Sequence, residues 1–218
     1  MAKQKIVDSN PARRRPYAPF RALTRALGRI IPFRLAVLED SRWVRLLDAL
    51  GRPLGVRLTG FDAFTWNGTV YLARRLLDTR AGYLVLRHEA VHLLDQRRLG
   101  LAPFLICYLL LPLPLGLTLR ALFEWRGYRE TLRAYRERDP KLARRRAASV
   151  ARQFTTGRYL YMWVLGQSIR RWIRRELARL ERTNGRPPRG LEALAELSRL
   201  APKGERDLEV PGPDSIID

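Results

Sequence analysis

Arg87-His88-Glu89-Ala90-Val91-His92-Leu93-Leu94-Asp95-Gln96 is the stretch that decides how this chain folds. Apolar residues at Tyr83, Leu84, Leu86, Ala90, Val91 and Leu94 recur at helical steps, Asp78-Thr79 offers an N-cap, and Gly100 offers a stop. The motif therefore sits in mid-helix. Residues four apart on a helix are about 40° from each other around the axis and roughly 6 Å along it, so the imidazoles of His88 and His92 can close on one ion. Glu89 lies about 100° round from His88, out of ligand range but within reach of a water held by such an ion. These are the only two histidines in 218 residues. Random placement would space them this way in roughly one chain in a hundred. The competing reading is a pair of helix-surface histidines in a basic protein.

Before this helix the period changes. Val56 and Leu58 alternate with polar residues, and Phe64 to Leu72 is β-branched and aromatic around Asn67-Gly68, a strong hairpin signal. Two or three antiparallel strands are expected directly before the metal helix, either as a structural hairpin or as an edge that accepts an extended peptide.

After it, Leu101 to Leu119 carries no charge. The length nearly spans a bilayer, but Pro103, Pro112, Pro114 and Gly116 break it. It is open to reading as buried core, a lid, or a segment that enters a membrane. Leu117 to Arg138 then reads as a long helix with one face through Leu117, Ala121, Glu124, Tyr128, Leu132 and Tyr135. Glu124 is the sole acid on that face. A carboxylate turned to a core needs a partner, either a metal or a buried arginine. Glu130 and Glu137 are expected on the opposite, solvated side with Arg126 and Arg133, as surface ion pairs.

The remainder is packing and tails. Residues 1–18 read as a disordered basic arm. Phe20 to Ile31 reads as an amphipathic helix closed by Pro32, and a second helix follows from Ser41 as N-cap to Leu50. Residues 142–183 form a helical extension around Phe154, Tyr159, Tyr161, Met162 and Trp163, and 184–218 a linker, a short helix and a loose tail. One domain over 19–183, with its centre at 54–138, follows. The fold class is α+β: mostly helical, with a small antiparallel sheet before the metal-binding helix.

The formal net charge of +21 raises nucleic acid or an anionic membrane as partner. Only Lys3, Lys5, Lys141 and Lys203 of the 42 basic residues are lysines, and the arginines are spread along the chain, which favours a solvated charge over a polyanion site. The single cysteine, Cys107, forms no internal disulfide and lies in the apolar run. The N-terminal segment has no apolar stretch of the signal-peptide kind, so a cytoplasmic location is the expectation, with membrane association through Leu101–Leu119 kept open.

His88-Glu89-Ala90-Val91-His92 after a β-hairpin, with Glu124-Trp125-Arg126-Gly127-Tyr128 in a following helix, resembles the zincin metallopeptidases, in the gluzincin branch whose third ligand is a downstream glutamate. It is similar in particular to small bacterial HExxH proteins with a Glu and then a Tyr four residues later. The resemblance covers roughly residues 54–138. It implies one Zn²⁺ on His88, His92 and Glu124 with an open position, Glu89 as general base, and a peptide or protein substrate. Asp95 is expected either to orient a ligand or to pair with Arg98 at the surface, and Tyr128 either to donate to an oxyanion or to fill the core. The alternative class is a non-catalytic basic protein that binds nucleic acid or a membrane surface around a structural or degenerate metal site.

Overall fold

The computed structural model describes residues 16–51, 60–110, 115–155 and 166–200. In chain order these form α1 (Ala18–Ile30), β1 (Arg34–Val37), a 3-10 turn, α2 (Arg42–Gly51), β2 (Ala63–Trp66), β3 (Thr69–Leu72), a second 3-10 turn and α3 (Arg80–Leu99). There follow α4 (Leu101–Leu105) running into a π-turn over Ile106–Leu110, then α5 (Leu115–Arg138), α6 (Pro140–Thr155), α7 (Gly166–Arg182) and a 3-10 helix over Glu192–Leu200. The architecture is α+β and mostly helical.

The expected hairpin is β2–β3. Asn67 and Gly68 supply its turn with φ of 45° and 69°, and the register sets Phe64 opposite Tyr71, whose rings stack at 4.8 Å. The third strand is a correction. It comes from Arg34–Val37, upstream of α2, and pairs parallel to β3, so the sheet is mixed with order β1-β3-β2. Four residues beginning with an exposed arginine give no alternation to read. The strand expected around Val56 and Leu58 lies outside the described residues.

Helix α3 is delimited as its sequence dictates: Thr79 accepts the Gly82 N–H at 3.0 Å, and Gly100 ends it at φ 81°. One face packs with α1, the sheet and the C-terminal 3-10 helix, through Leu23, Leu27, Val70, Leu72, Leu86 and Ala90. Leu191, Leu194 and Leu197 are buried in that same cluster, so the segment read as a short helix beyond the domain belongs to its core. A second apolar cluster joins α5, α6 and α7 through Ala121, Leu132, Phe154, Ile169 and Ile173.

Helices α3 and α5 meet between these clusters, and their contact is polar. They run antiparallel, because Arg87 meets Glu130, His92 meets Glu124 and Asp95 meets Arg126. The apolar run Leu101–Leu119 does not form a single helix: α4 and the π-turn fold back over this contact, and among the described residues no helix is long and apolar enough to cross a membrane.

Candidate metal centre

His88 and His92 lie one turn apart on α3, with their Nε2 atoms 3.3 Å apart. Glu124 projects from α5 between them. Its Oε2 is 3.4 Å from His88 Nε2 and its Oε1 is 3.7 Å from His92 Nε2. Donors around a tetrahedral ion at about 2.0–2.1 Å are separated by about 3.4 Å, so these three atoms already stand near the edges of such a site. The donor set fits a small cation.

Two neighbours fix the ligands. His88 Nδ1 faces Thr131 Oγ1 at 3.4 Å, and that hydroxyl donates to the Gly127 carbonyl, which leaves its lone pair for an Nδ1–H and turns Nε2 toward Glu124. The Tyr108 hydroxyl, from the π-turn, donates to Glu124 Oε1. Arg120 sits over the Tyr108 ring at 5.0 Å, and Phe104 stacks on it at 5.3 Å. By contrast, His92 Nδ1 is buried with no hydrogen-bond partner among the described residues.

Electrostatics separates the four groups. Burial pulls the His88 imidazole down, but its hydrogen bond with Glu124 and the charges of Glu124, Glu89 and Glu130 outweigh burial and leave its pKa raised. Burial dominates for His92, together with the His88 charge, and lowers it to about 4 against the pull of Glu124. Burial would raise Glu124, yet its hydrogen bond with His88 and the two imidazoles hold it at about 2. Glu89 is pushed up to about 7 by burial, partly opposed by His88 and by the Thr65 hydroxyl, which donates to Oε2 at 2.6 Å. Thr65 belongs to β2, the edge strand, and its carbonyl accepts from Gln96 of α3 at 2.9 Å. The hairpin is thus pinned to the metal helix beside Glu89.

The chain matches no protein family, no curated protein and no solved structure. The site must be judged by its geometry alone.

Of the residues singled out in the sequence, His88, His92 and Glu124 converge, and Glu89 stands next to them. Asp95 does not reach a ligand. It is buried and held by Arg126 at 2.8 Å, neither orienting an imidazole nor pairing with Arg98. Tyr128 is buried with its ring 4.8 Å from that of His88, a packing position. The solvated-side assignment of Glu130, Glu137 and Arg133 is overturned. Arg87, Glu130 and Arg133 are wholly buried, with Arg87 Nη2 2.6 Å and Arg133 Nη2 2.7 Å from Glu130 Oε1, and Glu137 completes the network from the rim. Helix α5 is covered on two sides, by α3 and by α6–α7, so arginines that a one-sided helix would solvate are enclosed and compensated here.

Tyr108, Thr65, Thr131 and Gly127 are additional. Tyr108 had a signal: it is the one hydroxyl between Leu101 and Leu117, and a phenol in so apolar a run needs a partner.

Proposed function

We propose that the protein is a zinc-dependent hydrolase acting on peptide bonds, in the manner of the zincin metallopeptidases it resembles. The observation that carries this reading is the convergence of two imidazoles and one carboxylate at 3.3 to 3.7 Å, with a second carboxylate, Glu89, buried beside them. Two nitrogens and one anionic oxygen, from a chain whose single cysteine lies elsewhere, suit Zn²⁺ among the common cations. Zinc bound there supplies Lewis acidity to water and to a substrate carbonyl.

The chain's own residues do the rest. Glu89 takes a proton from the attacking water and returns it to the leaving amine, a role that requires a carboxylate near neutrality in its affinity for protons. Thr65 holds one oxygen of that carboxylate and leaves the other for the water. Strand β2 offers an edge to an extended peptide next to Glu89, provided the Gln96 amide yields the Thr65 carbonyl.

The test is elemental analysis of the purified protein beside peptide hydrolysis by the wild type and by Glu89→Gln. About one zinc per chain in both proteins is expected, with activity only in the wild type. Absence of a transition metal after zinc is supplied, or full activity in Glu89→Gln, would overturn the reading.

A further inference from the structure

Four helix ends gather at one end of the bundle. Helices α3 and α5 are antiparallel, as the Arg87–Glu130 and His92–Glu124 contacts show. Phe154, at the end of α6, meets Trp125 of α5. Trp172 of α7 meets the same Trp125 at 5.8 Å, while Arg144 pairs with Glu181 at the far end. The C-termini of α3 and α6 and the N-termini of α5 and α7 therefore lie together, joined by α4 and the π-turn.

This end differs chemically from the rest. The sequence has no acidic residue between Gln96 and Glu124, and none from Pro140 to Arg175. The carboxylates of α5–α7 begin lower down, with Glu130, Glu137, Asp139 and Glu181 toward the opposite end. Arg97, Arg98, Arg170 and Arg171 are exposed here. So are large aliphatic side chains: Leu99 is 46% exposed, Ile106 47% and Leu122 42%.

We propose that this end of the bundle docks on the surface of a bilayer containing anionic lipids. Leu99 and Ile106 enter the boundary of the acyl region, and the four arginines meet headgroup phosphates. Aliphatic side chains alternating with arginines on an acid-free surface suit an interface with an apolar interior and an anionic rim. Nucleic acid would reward the arginines but not exposed leucine and isoleucine. The attachment is peripheral, since no described helix is long and apolar enough to cross.

Depth gives the docking a consequence. Leu99 stands about 10 Å along α3 from His92, so the metal centre faces the headgroup layer. Docking itself is independent of the hydrolase reading, but the substrate class rests on it: a polypeptide segment held at the membrane surface.

The experiment is flotation of the full chain with vesicles of phosphatidylcholine, or of an equal mixture with phosphatidylglycerol. The protein should float with the mixture and stay behind with phosphatidylcholine alone. Ile106→Asp and the Arg170→Glu/Arg171→Glu pair should each lower the bound fraction about tenfold. Leu46→Asp, on the exposed face of α2, should leave it unchanged. Far-UV circular dichroism and zinc content identify any variant that fails to fold, and either variant alone carries the test. Binding that is absent with the mixture, equal in both variants, or lost only in Leu46→Asp overturns the proposal. So does a wild-type dimer that Ile106→Asp converts to monomer, which would assign the patch to a second copy. Zinc content and hydrolysis of a soluble peptide report on the hydrolase reading separately.

Discussion

A Cβ placed on Gly127 would lie 2.5 Å from Nε2 of His88. The backbone of α5 thus forms one wall of the metal centre. Alanine is favoured over glycine inside a helix by about 1 kcal/mol, so Gly127→Ala would ordinarily stabilise α5. Here the methyl group must displace the imidazole. The expected outcome is a folded protein with markedly weaker zinc retention in a chelator titration, and retention equal to wild type would show that His88 does not ligate from this position.

Glu124 and Glu130 both leave α5 toward α3, and their truncation should give different losses. Glu124→Ala should keep the fold and release zinc. Glu130→Ala strands Arg87 and Arg133 without their shared carboxylate, at a cost of about 3–5 kcal/mol. Denaturant unfolding beside zinc content separates the two effects. A Glu130→Ala variant with unchanged unfolding midpoint would contradict the buried network.

Zinc binding should release a proton. At neutral pH Glu124, near 2, is ionised and His92, near 4, is neutral, so both are ready to ligate. His88 has a raised pKa and carries the proton that must leave. Affinity should therefore climb with pH by about tenfold per unit below the His88 pKa and level off above it. Calorimetry at pH 6 in buffers of different ionisation enthalpy should count about one proton released, and none released would contradict the assignment.

Tyr108→Phe removes the donor to Glu124 Oε1 and leaves the ring stack with Phe104 in place. Loss of a hydrogen bond to a ligating carboxylate typically costs 10- to 100-fold in metal affinity, and a fall of about that size is expected. An affinity equal to wild type would make Tyr108 a packing residue only.

The helical spacing of His88, Glu89 and His92 was legible because it is local: four residues on one helix fix the geometry whatever surrounds it. Glu124 was legible as a carboxylate on an apolar stripe. The ion network was not. Glu130 lies about 120° round α5 from Glu124, and the sequence shows only one apolar stripe, which suggests one buried side. A second buried face made of Arg87, Glu130 and Arg133 has no hydrophobic period to reveal it, since its pairing links residues 43 apart across two helices. For the same reason Arg34–Val37 carried no sign of its parallel partner. Contacts that depend on a distant segment leave no local pattern.

The enclosed Arg87–Glu130–Arg133 lock has a bearing on how the metal centre is assembled. Sliding α3 along α5 by a turn would separate buried charges, so the relative height of the helices is fixed by arginine and glutamate, and not by the ion. The donors are consequently in place before loading. The metal-free protein should be a folded socket that fills without a conformational step, its zinc uptake limited by diffusion and proton loss. That behaviour is opposite to small zinc domains, which acquire a fold only when the ion arrives.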